Sequence, residues 1–267
     1  MSNKINIASI QMFATKSQDE NLRTMEEYLT HIHSVFPQIE LVVFPELSPI
    51  NIGNSMDKEA QNIPGDLTDI FSNWAREFEV WLIPGSMYES CDKNIFNTTP
   101  VFSPDGELVG IYRKRYPWSP YEKTKPGYKP FVFKINERGS VGIMICYDIW
   151  FPEVARDLVN MGAEIIIVPT MTTTGDRRQE QIIAQATAIT QQSYVVSCNG
   201  VGYGGIGGSQ IIDPEGSVLQ ENGEGACIQT ATIDFDRVRT VRELGVAGVT
   251  TPLKAFRENV QSFSVYK

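Results

Sequence analysis

Cys146, Glu46 and Lys114 each stand where a short apolar run stops: the cysteine after VGIMI, the glutamate after LVVFP and the lysine after LVGIYR. A thiol that attacks a carbonyl needs a base to take its proton and a donor to hold the charge that develops on oxygen. Histidine is the usual base. This chain has two, His31 and His33, both inside a stretch that reads as an ordinary amphipathic helix. A base for Cys146 would therefore be a carboxylate, and a neighbouring ammonium could stabilise the oxyanion. Strand ends in α/β folds are where clefts form and where a rigid frame can hold such groups. Spacing alone does not require the three to meet. Singly, each has an ordinary alternative: a cysteine of inert core, a surface glutamate after a proline, a solvated lysine.

The elements that must position them follow from periodicity. INIASI (5–10) and LVVF (41–44) read as strands on either side of a helix from Gln18 to Phe36, with Leu22, Met25, Tyr28, Leu29 and Ile32 on one face. Asp66 to Phe78 reads as a helix capped by Asp66 after Pro64-Gly65. VWLIPG (80–85), IFNTTPVF (95–102) and ELVGIYRK (107–114) are three further strands, the last two joined as a hairpin by SPDG. FVFKI (131–135) and VGIMIC (141–146) follow a loop rich in Pro, Tyr and Lys, and Pro152 opens a helix to Met161. EIIIVPT (164–170) is a buried strand and Arg178 to Gln192 a helix. YVVSCN (194–199), SQIID (209–213), SVLQ (217–220) and ACIQTATI (226–233) complete the strands, before a helix from Phe235 to Leu244 and a looser tail. Helices covering buried strands in both halves predict an α/β fold of two face-to-face sheets with helices outside.

Composition narrows the function classes. With 42% hydrophobic and 21% charged residues, the 267-residue chain has the balance of a globular protein, and we read residues 1–267 as one domain. A formal charge of −9 disfavours a nucleic-acid or anionic-membrane partner, and the densest basic cluster, RKR at 113–115, is too short for such a footprint. The first residues alternate like a strand rather than forming a leader, and no apolar run approaches the ~18–20 residues of a membrane span. The cysteines Cys91, Cys146, Cys198 and Cys227 show no CxxC pairing. Reduced thiols in a cytoplasmic protein are the expectation, with neither a metal site nor an organic cofactor.

The segments LVVFPEL, GIYRKRYPW and GIMICYDIWFPE, in this order, resemble the three signatures of the nitrilase (carbon–nitrogen hydrolase) superfamily. SQIIDPEG (209–216) is similar to that family's Asp-Pro-x-Gly hairpin, and the likeness runs from about residue 4 to 235. The resemblance implies a four-layer α-β-β-α sandwich and a cysteine-dependent hydrolase of a small-molecule amide. Glu46 would be the general base, Lys114 the oxyanion stabiliser and Cys146 the nucleophile, with the backbone N–H of Tyr147 completing the oxyanion hole. Glu122, in YRKRYPWSPYEKTKPG, sits where aliphatic amidases and formamidases carry a second carboxylate that orients the amide. Its alternative is a solvated loop glutamate balancing Lys123 and Lys125. Trp118, Tyr121, Trp150 and the segment from Met171 and Thr172 to Thr174 are the pocket candidates by adjacency.

Asp148 is expected to be structural, since two residues past the thiol an extended chain points its side chain to the other face. Glu153 is expected to complement the dipole of the helix that Pro152 opens, and to hold the elbow through hydrogen bonds. The chain departs from the family in AQATAITQQ (184–192), which lacks the Arg and Glu many members carry there. It also stops at Lys267, short of the long tails of aliphatic amidases. Residues 236–267 are expected either at the interface of a homodimer or higher homo-oligomer, or as loop and helix over a sheet edge. Two rival readings remain open: an N-carbamoyl amine hydrolase or omega-amidase-like enzyme of the same superfamily, and a catalytically idle binding or scaffold relative.

Overall fold

A computed structural model describes residues 3–259. In chain order its strands are β1 (Lys4–Gln11), β2 (Phe13–Ala14), β3 (Leu41–Val43), β4 (Trp81–Ile83), β5 (Met87–Cys91), β6 (Asn94–Phe102), β7 (Leu108–Arg113), β8 (Phe131–Ile135), β9 (Gly139–Ile143), β10 (Ile165–Thr170), β11 (Tyr194–Asn199), β12 (Val201–Gly202), β13 (Gln210–Ile212), β14 (Val218–Glu221) and β15 (Cys227–Asp234). The helices are α1 (Gln18–Val35), α2 (Met56–Glu59), α3 (Asp66–Glu77), α4 (Pro152–Asn160), α5 (Arg177–Gln191), α6 (Phe235–Leu244) and α7 (Pro252–Glu258).

The strands form two large sheets. One runs β15-β1-β3-β4-β6-β5, with β7 also paired to β6; the other runs β14-β13-β11-β10-β9-β8. Their pairing is parallel at the centre (β1-β3-β4 and β9-β10-β11) and antiparallel at the flanks. Parallel strands are stable only when both faces are covered, and the burial patterns of β3, β4, β10 and β11, buried at every position, are of that kind. On β3 the alternation sorts the layers. Leu41 and Val43 enter the core between the sheets, with Ile83, Ile143 and Ile167, while Val42 and Phe44 pack outward with Met25 and Leu29 of α1 and Phe71 of α3. α4 and α5 cover the outer face of the second sheet through Val154, Leu158, Ala184 and Ala188. The architecture is the expected α-β-β-α sandwich.

Most element boundaries fall within two or three residues of those read from periodicity. The exceptions have local causes. Gly65, not Asp66, is the N-cap of α3, because the Thr68 hydroxyl turns back to accept from the Gly65 N–H at 2.7 Å. The strand read as VGIMIC ends at Ile143, and the chain turns into a 3₁₀ segment over Cys146–Trp150. The short parallel pair β2–β12 and the helix α7 inside the supposedly loose tail carry no apolar run long enough to announce them. Residues 260–267 of the proposed interface tail lie outside the described residues. No helix among the described residues is long and apolar enough to cross a membrane.

Candidate active site

Glu46 leaves β3 through a tight turn. Phe44 N–H still donates to Ile83 O, and Leu47, at φ 54°, reverses the chain with its N–H on Ser86 Oγ. Gly85 makes that turn possible. At φ +83° its backbone passes so close that an added Cβ would lie 1.8 Å from Pro45 O. Lys114 follows β7, and its N–H continues the hairpin ladder onto Asn97 O at 2.8 Å. That register places Asn97 of β6 directly beside the lysine. Glu122 comes back to the same point because Pro126-Gly127 closes the loop, with Gly127 N–H on Lys114 O at 2.8 Å.

The four side chains form one buried network. Lys114 Nζ donates to Glu46 Oε1 at 2.8 Å and to Glu122 Oε2 at 2.7 Å. Asn97 Nδ2 donates to the same two carboxylates, at 2.8 Å each. Glu46 is 3% exposed, Lys114 2% and Glu122 12%, so surface-residue readings of these three do not hold. Glu122 also accepts from Trp118 N–H and Thr124 Oγ1 rather than balancing Lys123 and Lys125.

Burial and pairing set the protonation states. Burial raises the Glu46 carboxyl above its usual range, with Lys114 pulling it back and Glu122 pushing it further up. Glu122 is likewise buried, but the ammonium beside it and the hydrogen bonds it accepts bring it below the usual range. Burial works against the charge on Lys114, yet Glu46, Cys146 and Glu122 hold the ammonium well above its ordinary value. The Cys146 thiol is driven well up by burial and by Glu46. Two carboxylates against one ammonium already leave excess negative charge. The surroundings therefore favour a neutral thiol over a preformed thiolate.

Cys146 stands at φ 46°, a left-handed conformation that a cysteine adopts only under local constraint. Asp148 supplies the constraint. Its Oδ2 accepts from Ile145 N–H at 3.0 Å and Tyr112 OH at 2.8 Å, and its Oδ1 from Arg115 N–H at 3.1 Å and Tyr116 N–H at 2.8 Å. One buried carboxylate thus ties the residue before the thiol to the strand that delivers Lys114. Burial pushes Asp148 up to about 6 against the pull of those donors and of Lys114. Asp148 is structural, as expected, but not because the chain is extended there. The 3₁₀ turn points its carboxylate back beneath the elbow. Glu153 is exposed, and it is Asp148 that holds the elbow. The N–H of Tyr147 falls in the first turn of the 3₁₀ segment, where helix geometry supplies no internal acceptor.

These groups open into a cavity of about 200 Å³. Trp118, Tyr121, Trp150, Met171 and Thr172 all line it, as read from adjacency. Trp118 and Tyr121, with ring centroids 4.5 Å apart, form the rim, and Tyr121 is 72% exposed. Sequence reasoning missed Asn97, Tyr88, Asp176 and Glu180. Asn97 was signalled by a polar Asn-Thr-Thr inside an otherwise apolar strand; the other three carry no such mark.

The family model for carbon-nitrogen hydrolases matches residues 6–243. This chain belongs to the carbon–nitrogen hydrolase family. Among curated relatives, the omega-amidase NIT2 of Danio rerio is 28% identical, over 90% of this chain and 92% of its own length. A formamidase of Bacillus cereus is 29% identical over 74% of this chain, which spans 63% of that relative's length. The structure of Saccharomyces cerevisiae Nit3, a member of the nitrilase superfamily, superposes with a TM-score of 0.81 at 26% identity, covering 90% of this chain and 93% of that one. This carbon–nitrogen hydrolase therefore shares its sandwich with relatives across nearly its whole described length.

The elbow yields a prediction. Asp148→Asn keeps the shape, and Tyr112 OH can turn to accept from the new amide, but the Ile145 N–H faces another donor if Nδ2 takes the Oδ2 position. With the amide the other way round, Arg115 and Tyr116 are both left without an acceptor. Either way the variant should lose about 1–3 kcal/mol in urea unfolding. Stability equal to the parent would show that these donors do not depend on the carboxylate.

Proposed function

We propose that this hydrolase is a cysteine-dependent amidase that converts small, neutral, chiefly aliphatic amides to carboxylate and ammonia through a thioester on Cys146. One arrangement carries the reading: a neutral thiol at a strained elbow beside a raised carboxyl, an ammonium held between two carboxylates, and an aromatic-rimmed cavity in front of them.

In this reading Glu46 takes the thiol proton as Cys146 attacks the carbonyl carbon, and the carbonyl oxygen becomes an oxyanion held by Lys114 Nζ and the Tyr147 N–H. Glu46 passes the proton to nitrogen, ammonia leaves, and the thioester remains. Water then attacks the thioester with Glu46 as base again, releasing the acid and restoring the thiol. Glu122 keeps Lys114 charged and oriented throughout, and its position near the cavity suits a role in orienting the amide.

Charge argues for a neutral substrate. Among the described residues lining the cavity, Lys114 is the sole cation and is already shared by two carboxylates, while Asp176 and Glu180 add further acid. The adjacent Arg177 is committed to Glu180 at 2.8 Å and to the carbonyls of Gly207 and Gly208. The names of the omega-amidase relatives favour a second reading, an amide whose far end is a carboxylate; among the described residues lining the cavity, no uncommitted cation is there to receive one.

Ammonia release should be faster from short neutral amides than from amides of matched length ending in a carboxylate, and it should vanish in Cys146→Ala. Turnover retained in that variant, or a preference for the carboxylate-ended series, contradicts the proposal. The pH dependence follows from the shifts. Glu46 accepts a proton only as carboxylate and its carboxyl is raised, so kcat/KM should fall as pH drops through a midpoint above the ordinary 4.5. Lys114 and Cys146 are both held well above their usual values, so neither should impose an alkaline limb near neutrality. An acid midpoint at or below 4.5 would be evidence against Glu46 as the base.

A further inference from the structure

The mechanism above leaves one buried pair beside the thiol unused. Thr172 Oγ1 lies 3.8 Å from Cys146 Sγ and donates its hydrogen to Glu180 Oε2 at 2.6 Å. Thr172 follows β10, and its backbone is clamped on both sides by Asn199, whose Oδ1 accepts the Thr172 N–H at 2.9 Å and whose Nδ2 donates to Thr172 O at 3.2 Å. Glu180 is 2% exposed and fixed by Arg177 Nη1 at 2.8 Å on the same oxygen.

A hydroxyl has one proton. Here it is committed to a buried, arginine-held carboxylate, so Thr172 can offer the cavity only lone pairs. It is an acceptor beside the sulfur, whereas Lys114 Nζ and the Tyr147 N–H are donors. A carbonyl substrate seated against the thiol has two polar ends to distribute. Its oxygen goes to the donors, which leaves the group on the other side of the carbonyl carbon facing Thr172. An amide nitrogen can donate there; an ester oxygen cannot, and leaves the hydroxyl unpaired.

We propose that Thr172, with its proton locked onto Glu180, accepts a hydrogen bond from the amide nitrogen and so selects amides over esters of the same acyl group. Thr172 touches the substrate in this account, and Glu180 is a positioning residue that fixes the direction of the hydroxyl. The proposal rests on the amidase reading for its substrate, but its test does not require turnover.

The test compares alkylation of Cys146 by iodoacetamide, which carries a primary amide, and by methyl iodoacetate, which carries an ester, with each rate read by peptide mass spectrometry. Both reagents consume the same thiol, so the ratio of rates cancels any change in thiol reactivity. A net hydrogen bond of about 0.5–1.5 kcal/mol corresponds to a ratio that falls about three- to tenfold in Thr172→Val. Thr172→Ser, which keeps the hydroxyl, should restore it. A ratio unchanged in Thr172→Val, or one that falls equally in Thr172→Ser, overturns the proposal. The responsive ratio together with no amide turnover by the parent protein would uphold Thr172 and overturn the amidase reading; turnover with an unresponsive ratio would do the reverse.

Discussion

Two carboxylates share one ammonium in a place that water hardly reaches, and the rest of the site is arranged around that imbalance. An unpaired carboxylate at such depth costs several kcal/mol, so Glu46 and Glu122 can stay charged together only because Lys114 bonds to both and Asn97 Nδ2 bridges them from the other side. The arrangement demands four backbone segments at one point: the turn after β3, the middle of β6, the end of β7 and the loop that Gly127 closes. The remaining negative charge has a chemical consequence. A thiolate would add to it, and burial together with Glu46 holds the Cys146 thiol well above its ordinary value. In the proposed amidase reaction, proton transfer to Glu46 would then accompany attack rather than precede it.

The sheet architecture makes this geometry rigid. Glu46, Lys114 and Cys146 each follow a strand whose neighbours are buried, and Asp148 fastens the Cys146 elbow to the end of the Lys114 strand through four accepted hydrogen bonds. The two sheets therefore cannot slide past one another without breaking bonds to a buried carboxylate. A left-handed cysteine persists because the elements on both sides of it are over-determined, which is how backbone strain is commonly held at functional sites.

What was legible in the sequence follows the same logic. Apolar runs marked Glu46, Lys114 and Cys146 only as candidates; the resemblance to carbon–nitrogen hydrolase signatures joined them and added Glu122, while the two-sheet sandwich was legible because apolar strands alternate with amphipathic helices. Asn97 was marked only as a polar position in an apolar strand; the face it takes shows once the β6–β7 register is known. Glu180 was not marked at all: it lies on a helix whose period looks ordinary, and its approach to Thr172 depends on how that helix packs against the end of β10. Asp66 was mistaken for a cap because the local pattern does not tell whether Thr68 will turn back onto Gly65. Asp148 was judged structural for the wrong reason, because a reversal at Cys146 is imposed by partners far away in sequence. Apart from that cap, which turns on a residue three positions away, the misses share a cause: each side chain's role depends on a partner distant in sequence.

The most direct measurement is the mass of the trapped acyl-enzyme. The protein is mixed with a short neutral amide, quenched in acid within the first turnovers, digested and mapped by mass spectrometry. The account predicts a single acyl adduct on the peptide carrying Cys146, with the mass of the amide less ammonia, and none on Cys91, Cys198 or Cys227. An adduct on one of those three instead, or ammonia released through a burst with no adduct on any cysteine, would contradict it.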